Sequence, residues 1–290
     1  MASTDQTHPV PARAATVERL SLREPIFISD LHLCAQRPRT LQRFLDLLEQ
    51  IRGHVAELVV LGDLFEYWAG DDTLQAAASS VPGTEAADKD DLVGREVAAA
   101  LHQVGTRGTK VYLMRGNRDV LLGTEFLAES GAQLLADPAT ASIGDLTTAP
   151  GATGLATLLA HGDAYCTLDL PYQAFRRQAR DAQFQVTFLA LPLPVRRQLI
   201  GQARERSEAT KQQLNMQIMD VTPTAIEQAL RSAGVRHMIH GHTHRPARHE
   251  FSLDGEPAIR WVLPDWDYDT TPVRGGALRW VQGTLQSLAL

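Results

Sequence analysis

Pro25-Ile26-Phe27-Ile28-Ser29-Asp30-Leu31-His32 reads as a buried strand that runs out into a carboxylate and an imidazole. Downstream, Thr40 can cap a helix whose apolar residues Leu41, Phe44, Leu45, Leu48 and Ile51 recur at helical spacing. Leu58-Val59-Val60-Leu61 is a second apolar run, and it ends on Gly62-Asp63. Strand, helix and strand in that order form a βαβ unit, which favours an α/β fold with a mostly parallel sheet.

The same grammar repeats along the chain. Lys110-Val111-Tyr112-Leu113-Met114 runs into Gly116-Asn117-Arg118-Asp119. Leu155 to Ala160 runs into His161-Gly162-Asp163. Val235 to Ile239 runs into His240-Gly241-His242-Thr243-His244. In α/β sheets, ligands sit beyond the carboxyl ends of strands, and every candidate ligand falls there. Thr222, Pro223 and Gly234 read as N-cap, N1 and left-handed stop of a late helix. Ala258–Val262 and Ala277–Val281 read as antiparallel strands. Residues 79–91 and 137–154, rich in small and polar residues, read as flexible insertions.

Composition narrows the class. With 290 residues, 44% apolar and 21% charged, the chain can bury a full core and is ordinary for a soluble globular protein. A net charge of -6 argues against nucleic acid as a partner. Two cysteines, Cys34 and Cys166, do not make a disulfide framework, so the expected compartment is the reducing cytoplasm. Residues 1–24 carry no continuous apolar segment and read as a mobile tail before a domain over 25–290. No apolar run is long enough to span a bilayer.

The strand-end residues supply Asp30, His32, Asp63, Asn117, His161, His242 and His244. That is a ligand set for two adjacent divalent cations, and it points to metal-assisted attack of water on phosphorus. If the first strand stays regular, Asp30 and His32 face the same side. Asp63 is the natural bridging carboxylate. His244 completes the first site, and Asn117, His161 and His242 complete the second. Oxygen and imidazole donors together suit Mn²⁺, Fe or Zn better than Ca²⁺. His240 reads as a strand-end or supporting residue.

The stretch from Leu170 to Lys211 differs from the rest. It is helical in pattern, with eight basic residues against three acidic ones, and it contains the apolar run Val186-Thr187-Phe188-Leu189-Ala190-Leu191. One reading is an ordinary packed helical pair with solvated arginines. The other is an inserted cap over about 170–220 that holds acyl chains and rests on anionic lipid.

The order and spacing of the five motifs resemble the calcineurin-like metallophosphoesterase superfamily. The resemblance implies a two-sheet β-sandwich flanked by helices, here with an inserted helical cap. Most members carry His after the Asn of the third motif, as a proton donor, whereas this chain has Arg118. Arginine stays protonated and cannot act as a general acid. The leaving group should then need no proton, which favours a pyrophosphate over a simple ester of an alcohol.

Further strings, Leu61 to Trp68, Tyr172-Gln173-Ala174-Phe175-Arg176, Phe188-Leu189-Ala190-Leu191-Pro192 and His240 to Pro246, are similar to the subfamily that hydrolyses UDP-2,3-diacylglucosamine in bacterial lipid A synthesis. That similarity implies release of UMP and 2,3-diacylglucosamine 1-phosphate, with two Mn²⁺ per chain. It also implies a peripheral location on the cytoplasmic face of the inner membrane, an anionic lipid surface as partner, and no obligate protein partner. Asn117 and Arg118 take the catalytic role by this resemblance. Asn117, Arg118, Asp169, Ser207 and His242 match substrate-contacting positions. Lys211 and Leu214 depart from the pattern, and Lys211 is expected to supply the missing cation. Rival functions are a nucleotide phosphodiesterase, which Arg118 and the apolar cap count against, and a non-catalytic scaffold, which has no need of a complete ligand set.

Overall fold

A computed structural model describes residues 20–78, 88–144, 154–211 and 220–290, with side chains described except over 76–78 and 206–211. In chain order the elements are β1 (Leu20–Leu22), β2 (Pro25–Ile28), α1 (Pro38–Ile51), β3 (Glu57–Leu61), α2 (Asp72–Ala78), α3 (Lys89–Thr106) and β4 (Lys110–Met114). Then come α4 (Thr124–Ser130), β5 (Gln133–Leu135), β6 (Ala139–Ile143), β7 (Leu155–Ala160), α5 (Leu170–Ala179), α6 (Ala182–Leu189) and α7 (Leu193–Lys211). The chain closes with α8 (Pro223–Ala233), β8 (His237–His240), β9 (Ala247–Leu253), β10 (Glu256–Val262), β11 (Ala277–Val281) and β12 (Thr284–Leu288).

The strands form two six-stranded mixed sheets, ordered β12-β11-β2-β3-β4-β5 and β1-β6-β7-β8-β10-β9. The period-two alternation of side chains decides the layering. Phe27, Val59, Leu61, Tyr112 and Met114 of the first sheet point inward to meet Ala141, Ile143, Leu159 and Ile239 of the second. Their neighbours Ile26, Ile28, Leu58, Val60 and Val111 point outward and pack on Phe44, Leu47 and Leu48 of α1 and Val97, Leu101 and Val104 of α3. On the far side, Leu158, Ala160 and Met238 pack on Ile226 and Leu230 of α8. The result is helix, sheet, sheet, helix. The central strands are buried on both faces, which is why they read as unbroken apolar runs.

Five expectations are corrected. Leu20–Leu22, placed in the mobile tail, is a parallel edge strand on β6. Ala139–Ile143, placed in a flexible insertion, is that strand's partner, and Lys89 to Asp91 open α3 behind the N-cap Asp88. Small and polar residues hid both elements. Residues 79–87 and 145–153 of the two insertions lie outside the described residues. Helix α1 starts at Pro38, not after Thr40, and Asp269 caps it from across the molecule, accepting from Arg39 N and Thr40 N at 3.0 Å each. Finally, β10 is antiparallel to β9 but parallel to β8. The late helix α8 behaves as read, with Pro223 at its start and Gly234 left-handed at φ 62°.

Candidate metal centre

The first strand does not stay regular. It ends at Ile28, and Asp30 and His32 take left-handed φ of 54° and 50°. Asp63, His242 and His244 do the same, at 52°, 68° and 53°. Left-handed backbone costs a residue with a side chain about 1–2 kcal/mol, and such strain gathers at functional sites. Here it turns side chains out of the sheet edge and into one spot. Backbone bonds hold the turns together: Leu31 N and His32 N donate to Asp63 O at 2.9 and 3.0 Å. The glycines of the motifs allow the close approach. A Cβ on Gly116 would collide with the Asp63 carboxylate, and one on Gly241 with Asp30.

Asp30 Oδ2 accepts from Ser29 Oγ at 2.6 Å and from His242 N at 2.8 Å. Its other oxygen, Oδ1, is buried without a hydrogen bond and lies 3.4 Å from His244 Nε2. His244 Nε2 in turn lies 3.4 Å from His32 Nε2. Two ligands about 2.1 Å from a tetrahedral centre stand roughly 3.4 Å apart, so these three atoms are spaced to share a cation. Asp63 stands between the two halves of the site, 3.9 Å from His32 Nε2 and 3.7 Å from His161 Nε2. Asp30, His32 and His244 form one donor group, and Asp30, Asp63 and His161 form a second, each with donors within 4.8 Å of one another. Asn117 Oδ1 joins the second at 3.0 Å from His161 Nε2, and the His242 ring packs edge-on to His161 at 5.0 Å. The orphaned Asp30 oxygen and the converging ring nitrogens fit a divalent metal.

Electrostatics agree. Burial works against charge on His161, but Asp63, Asp163, Asp30 and Asp137 outweigh it and push its pKa up to about 9. Burial also works against ionised Asp30, yet the close contact and charge of His244 and the charges of His161 and His32 hold its carboxyl far below the usual range. Burial, then the charge of neighbouring His161, holds His242 neutral, with its pKa lowered to about 3. So much buried negative charge calls for cations.

Residues 26–246 match the calcineurin-like phosphoesterase family. The chain belongs to that family. Curated relatives include the UDP-2,3-diacylglucosamine hydrolase of Bordetella pertussis (strain Tohama I), 43% identical over 90% of this chain and 93% of its own. The enzyme of the same name from Chromohalobacter salexigens is 44% identical over 88% and 92%, and that from Pseudomonas aeruginosa (strain PAO1) is 41% identical over 83% and 90%.

Around this phosphoesterase centre stand residues the motifs did not single out. Asp119 accepts from Gly116 N and Leu64 N at 2.7 Å each and ties the second and third motifs together. Glu66 Oε2 lies 3.1 Å from His32 Nδ1, and its carboxyl is lowered to about 2: burial opposes this, but contact with His32 and the charges of Arg118 and Arg204 prevail. Asp163 accepts from Tyr172 Oη at 2.8 Å and pairs with Arg176 at 3.0 Å. Asp137 pairs with Arg176 at 3.3 Å and Arg180 at 3.2 Å. Asp163 was visible in its motif as the residue two after His161. Asp137 and Glu66 gave no signal, because their partners are remote in sequence.

The substrate-contact positions divide. Arg118 stands at the centre, its backbone N–H donating to Asp63 Oδ1 at 2.8 Å and its guanidinium 3.7 Å from Glu66. Asp169 serves as N-cap of α5, accepting from Tyr172 N at 3.0 Å. Ser207 and Lys211 lie in the last turns of α7, where side chains fall outside the described residues, as does Leu214.

Five of the cap's arginines are paired with carboxylates and not left as a free basic face. Arg176 and Arg180 pair with Asp163 and Asp137, Arg196 with Asp72, Arg197 with Asp91 and Asp88, and Arg204 with Glu66. Arg196 is only 2% exposed. They clamp the cap to the domain beneath. Apolar side chains of the cap are also left in solvent: Leu170, Phe175, Val186, Leu189, Val195 and Leu199 are exposed among polar neighbours, as is Leu168 just before α5. Among the described residues no helix is long and apolar enough to cross a membrane.

Proposed function

We propose that this chain hydrolyses the pyrophosphate bond of UDP-2,3-diacylglucosamine, giving UMP and 2,3-diacylglucosamine 1-phosphate for lipid A synthesis. The observation that carries the reading is the pairing of a phosphoesterase donor cluster with an apolar cap clamped over it. Such a substrate has one pyrophosphate and two acyl chains, and the site offers a place for each. The relatives of that name, alike over most of their length, support it.

Asp30, His32 and His244, with Asp63, His161, Asn117 and His242, would hold two divalent cations, with Mn²⁺ proposed. Bound there, the cations would supply an acidified water and offset charge on the phosphate. The protein's own groups do the rest. Arg118, at the mouth of the cluster, offers donors to the phosphate oxygens and stabilises charge that grows as the bond between the α phosphorus and the bridging oxygen breaks. The water oxygen stays on UMP, and the lipid leaves as its 1-phosphate. Arg118 has no proton to give, and a phosphate leaving group needs none. The acyl chains lie along the apolar side of α5–α7. The same edge meets the cytoplasmic face of the inner membrane, so the protein docks peripherally through apolar contact.

Purified protein with Mn²⁺, offered UDP-2,3-diacylglucosamine, p-nitrophenyl phosphate and cyclic AMP in parallel, tests this. Release of UMP at much the highest kcat/KM is expected. Faster turnover of either of the other two, with no UMP released, overturns the reading.

A further inference from the structure

Glu66 belongs to neither donor group, yet its two oxygens face different parts of the molecule. Oε2 stands 3.1 Å from Nδ1 of His32. Oε1 accepts from Nη2 of Arg204 in α7 at 2.6 Å and lies 3.7 Å from Nη1 of Arg118. Arg204 is also held over the Tyr67 ring, 5.7 Å from its centroid. Glu66 is fixed from below, since its backbone N–H donates to Leu33 O at 3.2 Å. A short, mostly buried path therefore runs from the cap through one carboxylate to a metal ligand.

We infer that Glu66 is a positioning residue through which the seating of cap helix α7 sets the orientation of His32. An ionised carboxylate only accepts, so it keeps the proton of His32 on Nδ1 and leaves Nε2, the nitrogen facing His244 and Asp63, free to coordinate. The contact with Nδ1 is short but is not aligned as a hydrogen bond. Its alignment depends on how far Arg204 draws the carboxylate toward the cap. A substrate that shifts α7 therefore changes how squarely His32 meets its metal. The inference rests on the reading of His32 as a metal ligand in the proposed function.

Mn²⁺ titration of the metal-stripped full-length chain, with free Mn²⁺ followed by electron paramagnetic resonance, tests it without any substrate. Glu66→Gln should weaken Mn²⁺ binding about 10–100-fold, as loss of a carboxylate behind a metal-bound imidazole does. Arg204→Ala should weaken it by a smaller factor, and Arg204→Lys, which keeps the pair, should bind nearly as the parent does. In the double variant, Arg204→Ala should add nothing to Glu66→Gln. Wild-type Mn²⁺ affinity in Arg204→Ala would make Arg204 a cap anchor alone and overturn the inference. Losses that multiply in the double variant overturn it equally. Coupling seen in the titration by a protein that fails to release UMP would leave the inference standing and reject the proposed function.

Discussion

At the scale of single residues, the centre depends on side chains that the backbone had to strain to deliver. Asp63 holds a left-handed φ of 52° and lies within 3.9 Å of His32 and 3.7 Å of His161. Asp63→Ala removes the carboxylate between the two donor groups, so metal content per chain should fall, and UMP release should drop below detection. Metal analysis showing undiminished content would rule out Asp63 as the bridge. Arg118→Ala is expected to behave differently. Its guanidinium contacts Glu66 and no donor atom of the cluster, so metal content should hold while kcat falls about 10²–10³-fold, the usual loss for a transition-state donor. Arg118→His should not restore the reaction, because a proton donor is not what a phosphate leaving group lacks. Recovery of UMP release in that variant would count against the argument.

At the scale of elements, the cap and the strand ends carry separate predictions. In α6 no residue is buried, Val186 is 64% exposed, and Phe184 and Phe188 stack at 5.9 Å. Each buried CH₂ is worth roughly 0.8 kcal/mol, so acyl chains lying here would dominate affinity. Phe188→Asp should therefore raise KM for the diacylated substrate, and UDP-GlcNAc should be a very poor substrate. Equal kcat/KM with and without acyl chains would remove the cap from substrate binding.

The end of β8 sets a pH dependence. Burial and the neighbouring Arg260 lower His240 to about 4, and burial with nearby His161 lowers His242 to about 3. In the unfolded chain both take up protons near pH 6.5, while the folded chain resists until pH 3–4. Stability is thus lost as pH falls from 6.5 toward 4, by a few kcal/mol at most. Asp119, which burial and the Asp63 charge raise to about 6, works the other way, but it is one group against two. His161, raised to about 9, also works the other way, but only while its unfolded counterpart is still taking up its proton near pH 6.5. Urea unfolding of the metal-free protein should give a lower midpoint at pH 4.5 than at pH 7, and an unchanged midpoint would contradict the assignment.

At the scale of the whole molecule, a net charge of -6 opposes approach to an anionic bilayer. A local excess of basic residues in the cap reads as compensation in the sequence, but the fold uses Arg176, Arg180, Arg196, Arg197 and Arg204 as clamps. On the proposed function, docking would then fall to the apolar side chains of the cap. Co-sedimentation with phosphatidylglycerol-containing vesicles should survive high salt and be lost when Leu170, Val186 and Leu199 are changed to Ser together. Release by salt alone would return the role to charge, which is screened over about 8–10 Å.

Much of this was legible in the chain itself. Residues 25–28, 58–61 and 111–114 are buried on both faces, so they had to be largely apolar, and their unbroken runs announced a parallel sheet. Because ligands gather at the carboxyl ends of such strands, Asp30, Asp63 and His161 could be read as one site before any fold was known. The sequence by itself thus determined the fold class and the strand ends at which Asp30, His32, Asp63, His161 and His244 gather. Only the tertiary structure decided how these are held. Residues 230 apart in sequence meet where Asp269 caps α1, 138 apart where Arg204 finds Glu66, and 124 apart where Arg196 finds Asp72. No local pattern marks such pairs. A carboxylate or guanidinium in a helix or loop looks solvated until the chain, folded around its two sheets, brings the opposite charge beside it and excludes the water.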